Sequence, residues 1–459
     1  MPPMNADIVI CGAGIAGVSA AYHLAVKHDL KSIVIVDLLP PLTLTSDKST
    51  ECYRNWWPGP GDAMVRLMNR SIDLMEELHN EAPARLPMNR NGYIYATANS
   101  DNVKTMLASA EEISRLGAGE LRIHRNASTD LEYVPVTGHG LADAPTGADL
   151  FLDQSLIRKN FPHLTERTVA LLHARRCGWF AAQQFGMYML EQAMARGVKL
   201  VKGKVEGVEV EGNRIKSVKV TGNGGDEVIS TRNFVIAAGP LQKQVGQLIG
   251  VELPIVCEPH LKVMLNDPHH AFPRKMGLFI WNDPVKLMWT EEESAALAEE
   301  EETRWLANEL PAGLHGRPEG EGDMILLQWV YHNSEVGEPV FPVALDPQLP
   351  EVALRGMATV IPALAKYLNQ IPKPFMDGGY YARTPENRPL IGPLPVEGAY
   401  INGGFGGFGM MVSCGASDLL AKHIAGTELP SYAPAFLLSR YDDPQYQELL
   451  KQWGASGQL

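Results

Sequence analysis

The 459-residue chain is 45% apolar and 20% charged, the composition of a folded globular protein rather than a disordered or membrane-embedded one, and its length points to two packed domains. A formal charge of −13 makes nucleic acid and anionic membranes poor partners. Five cysteines, at 11, 52, 177, 257 and 414, form no CxxC or Cys/His cluster; with no apolar run near the roughly 18 to 20 residues of a membrane span, a reducing, cytoplasmic location without zinc is expected.

Residues 7–11 (DIVIC) read as a short buried strand, GAGIAG as a turn with Gly12, Gly14 and Gly17, and 18–26 as a helix. A second apolar run at 32–36 ends in Asp37, twenty residues after Gly17. Strand, glycine turn, helix and acidic residue in this order form a dinucleotide-binding unit. Gly12 makes the tight turn, Gly14 admits backbone to a pyrophosphate at the helix N-terminus, and Gly17 lets helix and strand pack closely. These residues leave FAD and NAD undecided.

A polar stretch, SDKSTECYR (46–54), follows, then GDAM at 61–64, the first turn of a helix over 63–79. NGYIYAT at 91–97 is strand-like, VPVTGHGLADAPTGA (134–148) is an excursion, and FPHL (161–164) is a turn. Residues 197–240 read as short alternating strands with turns at Gly212-Asn213 and Asn223-Gly224-Gly225, ending in FVIA and then Ala238-Gly239-Pro240. The runs at 256–265, 278–290 and 324–332 read as strands of a large mixed sheet, with Lys262, Lys286, Trp329 and Tyr331 as inward candidates; period-2 parity leaves the facing side open. Acidic runs at 291–294 and 299–303 sit in a helical insert over 291–310, read as surface in preference to a lid. Finally TPENRPLIGP leads to AYIN and then to GGFGGFGMM, a glycine turn before a helix over 412–424.

That last block, together with GAGIAG and Asp37, the 46–54 stretch, NGYIYAT, FPHL and the AAG strand end, all in order, resembles the D-amino-acid oxidase superfamily. Relatives include glycine oxidase, monomeric sarcosine oxidase and D-amino-acid dehydrogenase. The resemblance implies a two-domain α/β (α+β) fold. A discontinuous Rossmann-like FAD domain of the glutathione-reductase type takes 1–90, 165–255 and 376–459, and a substrate domain on a large mixed β-sheet takes 91–164 and 256–375.

The cofactor contacts it implies are Gly12, Gly14, Ile15, Ala16, Gly17, Asp37, Leu38, Ser49, Thr50, Val205, Ala238 and Gly239, then Gly404, Gly406, Gly407, Phe408, Gly409 and Met410 under the flavin ring. The glycine turn and its helix N-terminus suit negative charge on a reduced flavin. Some relatives carry His and Lys where this chain has Phe408 and Met411, which makes an apolar pocket wall here. Gly379 stands where sarcosine oxidase has its flavin-attaching cysteine, so noncovalent FAD is expected.

Arg54 is a candidate to pair with a substrate carboxylate, or else a surface arginine. Tyr381 and Arg383 are candidate substrate-positioning residues, or else core and rim. Tyr53, Trp56 and Trp57 line a cage or pack a domain junction. The implied activity is oxidation of an amine or amino acid, primary or N-methyl, by hydride transfer to flavin N5, giving an imine that hydrolyses, with oxygen or a quinone or electron-transfer protein as acceptor. The alternatives are a hydroxy-acid or polyol dehydrogenase, disfavoured because an alcohol calls for a base such as His and the glycine turn has none, or a flavin-binding subunit of a larger amine dehydrogenase complex.

Overall fold

The computed structural model describes residues 4–126, 131–136, 141, 143–222, 225–332 and 334–453. Asn223 and Gly224 of the second expected turn, part of the 134–148 excursion and the 454–459 end lie outside them. A six-stranded sheet runs in the order Lys199–Lys202, Ile33–Asp37, Ile8–Cys11, Asn233–Ile236, Ala399–Gly403, Leu390–Pro393. Neighbouring strands are parallel except for the last pair.

Both faces of this sheet are covered at its centre, which is why Ile8–Cys11 and residues 33–36 are unbroken runs of buried, mostly β-branched residues. Ile8, Ile10, Ile33 and Ile35 pack with side chains of the helices Ile15–Tyr22, Ala182–Ala195 and Gly409–Ala425. Val9, Cys11, Val34 and Val36 pack instead with Val205, Ile215, Val218 and Ile229 of an antiparallel meander over 204–230. Its first turn has Gly212 and Asn213 at φ 56° and 62°, the double left-handed geometry of a two-residue hairpin.

The second sheet is mixed and ten-stranded: Phe405–Gly406, Phe375–Arg383, Val256–Asn266, Met324–Gln328, Leu314–Glu319, Leu278–Trp281, Tyr93–Thr97, Ala170–Ala174, Ala148–Phe151, Leu121–His124. Segments 165–255 and 376–459 therefore each contribute to both sheets. In the register Lys262 faces Gln328 and Asp377, Glu258 faces Tyr381, and His315 faces Gln328. Opposite residues share a face, so Glu258, His260, Lys262, His315, Arg317, Gln328, Tyr381 and Arg383 form one polar face. The alternate residues Val263, Leu265, Ile325 and Leu327 pack with Val352, Ala353 and Met357 of the helix Leu349–Val360.

The helix expected at 63–79 spans Ala63–Glu81. In the acidic insert, the helix Glu291–Glu299 has no buried residue, and a Thr290–Glu293 capping box starts it. Strands Val285–Lys286 and Glu309–Leu310 close the insert. It docks through Arg355, which donates to Met288 O at 2.6 Å and pairs with Glu293 at 2.9 Å. Among the inward candidates of this region, Lys286 is exposed in the short hairpin, Trp329 is core with its indole N–H on Pro311 O at 2.9 Å, and Tyr331 donates to Asp346 at 2.5 Å.

Candidate active site

A cavity of about 630 Å³ opens along the C-terminal ends of the six-stranded sheet. Its fingerprint end is backbone held very close. Gly12 has φ +112°, and a Cβ there would lie 2.4 Å from Ala237 O; a Cβ on Gly17 would lie 1.9 Å from Gly12 O. The Ile15 N–H donates to Ser46 Oγ at 2.9 Å, which ties the first helix to the polar stretch. Asp37 accepts the Ala13 and Leu39 N–H groups at 2.6 and 2.9 Å, and its carboxylate lines the cavity.

At the glycine turn, Gly404 has φ +66° and donates its N–H to the buried Gln242 Oε1 at 3.1 Å; a Cβ on Gly403 would lie 1.9 Å from that oxygen. Phe408 caps the helix Gly409–Ala425 without a side-chain hydrogen bond, which leaves first-turn N–H groups for a negatively charged neighbour.

Gly12, Gly14, Ile15, Ala16, Asp37, Leu38, Ser49, Val205, Ala238, Gly239, Gly404, Gly406, Gly407, Gly409 and Met410 all line this cavity. Gly17 does not; it packs the helix onto the turn. Thr50 and Phe408 line a neighbouring cavity of about 160 Å³, with Arg54, Trp57, Tyr93, His260, His315, Gln328 and Met411. Tyr381 and Gly407 line both, with the Tyr381 ring so close that a Cβ on Gly407 would lie 2.5 Å from it.

Arg54 is 3% exposed, so it is no surface residue. Its strand, Cys52–Arg54, pairs with Cys177–Trp179. Its Nη1 donates to Tyr95 Oη at 2.5 Å, and the guanidinium lies 4.2 Å from the Trp57 ring centroid. Trp57 in turn meets Phe408 edge to face at 4.9 Å; of the aromatic cluster Trp57 lines the cavity, while Tyr53 and Trp56 pack in the core. Among the described lining residues Arg54 is the one Lys or Arg, and none is Asp or Glu.

Arg383 lines neither cavity. It pairs with Glu258 and, at 3.3 Å, with Glu335. Burial works against the Glu258 carboxylate, but His260 and the Arg383 guanidinium outweigh it and bring its pKa down to about 2. Lys262 lines neither cavity either; it donates to Ser49 O at 2.8 Å while Arg317 donates to Thr50 O at 2.9 Å, so two cations hold the loop between the cavities. Burial holds Lys262 below the ordinary lysine range.

His260, His315 and Gln328 were not singled out from sequence. Their signal is polar residues at every second position, 258/260/262 and 315/317, within strands whose alternate positions are apolar. Burial lowers the pKa of both histidines. His315 Nδ1 lies 2.8 Å from Gly313 O and its Nε2 lies 3.2 Å from Gln328 Oε1, while the Gln328 side-chain N–H donates to Tyr381 Oη at 3.4 Å.

The model of the family described as "DAO: FAD dependent oxidoreductase" matches residues 7–423. The chain belongs to the DAO family of FAD-dependent oxidoreductases. Two D-amino acid dehydrogenases of Vibrio vulnificus, strains YJ016 and CMCP6, are 31% and 34% identical over 88 and 97 residues, which are 19% and 21% of this chain and 21% and 23% of theirs. Only about a fifth of those relatives' length is matched. L-proline dehydrogenase from P. horikoshii superposes with a TM-score of 0.72 at 20% identity, over 96% of this chain and 98% of its own. Glycine oxidase from Geobacillus kaustophilus gives 0.70 at 15%, over 95% and 99%. At these identities the likeness is one of fold.

The residues present fit the family's cofactor. The larger cavity is lined by glycine backbone from two turns, with close approaches at Gly12, Gly403 and Gly407, the Asp37 carboxylate beside the first turn and a helix N-terminus beside the second, a set suited to a dinucleotide. No described helix is long and apolar enough to cross a membrane, and the described residues hold no cluster of metal-ligating side chains.

Proposed function

We propose that the protein oxidises an amino acid or related amine, primary or N-methylated, at its CH–NH bond, giving an imine that water hydrolyses. The observation that carries this reading is Arg54, a buried guanidinium lining a small cavity that has no Lys, Asp or Glu among its described lining residues and shares Tyr381 and Gly407 with the larger cavity. Bound FAD supplies a two-electron acceptor for a hydride.

The chain's own part is position and exclusion of water. Arg54 pairs with the substrate carboxylate, and Trp57, Phe408 and Met411 wall its apolar body. The cavity is small, about 160 Å³, which favours a compact substrate. Noncovalent FAD is supported by Gly379, which packs against Lys48, and by Cys11, the one cysteine among the described cavity-lining residues, whose thiol burial pushes up to about 12. Five buried free cysteines support a reducing, cytoplasmic setting.

His260 and His315 in the same cavity favour a second reading, oxidation of a hydroxy acid, because an alcohol needs a base as its hydride leaves. Anaerobic mixing of the holoenzyme with amines, N-methyl and D- and L-amino acids, and hydroxy acids separates the two. The amine reading expects amino acids to bleach the oxidised flavin; bleaching by hydroxy acids alone contradicts it. Admitting air then tells oxygen from a quinone or electron-transfer protein as acceptor.

A further inference from the structure

A carboxylate entering the small cavity meets Arg54, but an ammonium entering with it meets no Asp or Glu among the described lining residues. At neutral pH an amino acid arrives as the ammonium form, which has no lone pair to form the C=N bond when the α C–H is oxidised. Its surplus proton needs an acceptor within the cavity.

We propose that His260 is that acceptor, positioned by Glu258 and Arg383. In the step the ammonium N–H bond breaks, its electron pair stays on the substrate nitrogen, and the proton passes to the imidazole Nδ1; Nε2–H stays toward Glu258. The proposal rests on the amine reading above.

Four observations support the assignment. The His260 ring lines the small cavity and stacks on Tyr381, with centroids 3.6 Å apart, so it sits at the wall shared with the cofactor cavity. Its Nε2 lies 3.7 Å from Glu258 Oε2, and neither atom has a hydrogen-bond partner, which leaves this pair to orient the ring and to stabilise an imidazolium. The other Glu258 oxygen is held by Arg383. Its fellow histidine, His315, has both nitrogens engaged, by Gly313 and Gln328.

Among the described residues, the charged and titratable groups around His260 are Glu258 and Lys262 on its own strand, Tyr381 and Arg383 on one neighbouring strand, and His315 beyond Gln328 on the other side, with Arg54 and Tyr93 lining the same cavity. Burial keeps the imidazole below its ordinary pKa against the pull of Glu258, so it is neutral and ready to accept at pH 7.

The test is the pH profile of kcat/KM for anaerobic flavin reduction by the best amino acid, in the wild-type holoenzyme, His260→Phe, which keeps the stack, and His260→Gln, each checked for bound FAD. The wild type should rise through an acid limb below the ordinary histidine range and then stay level up to the substrate amine's own pKa. Both variants should be about 100-fold slower at pH 7, climb tenfold per pH unit toward the amine pKa, and approach the wild-type rate above it, where a neutral amine needs no acceptor. Glu258→Gln should move the wild-type acid limb to lower pH. A wild type that itself climbs to the amine pKa, or variants slowed equally at every pH, overturns the proposal while the amine reading stands. Reduction by hydroxy acids alone overturns both.

Discussion

At the fingerprint end, Gly12 and Gly17 hold backbone so close that one added methyl would strike Ala237 O or Gly12 O, and this bare backbone shares the cavity wall with side chains such as Asp37, Ser46 and Glu206. At the small cavity side chains dominate the wall: Arg54 from a two-stranded ribbon, His260, His315 and Gln328 from the ten-stranded sheet, and Phe408 and Met411 from the glycine turn and its helix. At Gly12 and Gly17 the first end has no room for a side chain; the second end is defined by its side chains. A damaged fingerprint should therefore cost the cofactor, and a damaged small cavity should cost the substrate while FAD stays bound.

Gly12→Ala is the harshest test of that division. Its φ of +112° and the 2.4 Å approach to Ala237 O predict loss of FAD, read as the flavin-to-protein ratio after purification. Retention of stoichiometric FAD would contradict the close-backbone account.

Stability should fall steeply with acid because burial holds His23 and His173 at about 3 and His163 at about 4. Their folded pKa values lie below the unfolded 6.5, so the unfolded chain takes up protons first. The stability they contribute is complete above pH 6.5 and is lost as pH falls through about 4 for His163 and about 3 for His23 and His173. Each histidine gives a slope of about 1.4 kcal/mol per pH unit, roughly 4 for the three together. Urea unfolding from pH 7 to 5 measures the slope; a flat profile would be incompatible with neutral burial.

Arg383→Met separates a structural cation from a substrate-binding one. Leaving Glu258 buried without its guanidinium should cost roughly 3 to 5 kcal/mol of stability, with the KM for an amino acid changed less than about twofold if the protein is assayed well below its Tm. A sharp KM rise would return Arg383 to the cavity. Glu293→Ala, which breaks the capping box and one partner of Arg355 in the acidic insert, should cost only about 1 kcal/mol and leave kcat/KM untouched, as a docked surface segment requires.

The same contrast explains what could be read in advance. Gly12, Gly14, Asp37 and the Gly404–Gly409 turn were legible because backbone recognition writes itself into local order: strand, glycine, helix, acid. The ten-stranded sheet was legible as strands at 256–265 and, up to Gln328, at 324–332, yet its strand order, and so the meeting of Tyr381 with His260 and with Gln328, depends on residues 121 and 53 positions apart. Lys262 and Arg383 show the other limit. Both lie on the polar face, but one reaches Ser49 O and the other Glu258, so sharing a face with the site did not place them in it. The buried polar row at 258, 260 and 262 was the available clue, since a strand seldom buries charge without a partner or a task.

The account stands most directly on Arg54 as the carboxylate partner of an amino acid. Anaerobic flavin reduction by an amino acid and by the amine that lacks only its carboxylate, compared in the wild type and Arg54→Met with equal bound FAD, isolates that contact. The wild type should favour the amino acid, and the variant should lose roughly 10- to 100-fold in kcat/KM for it, as expected for a charge-assisted pair, while the amine changes little. Equal discrimination in both proteins would contradict the account.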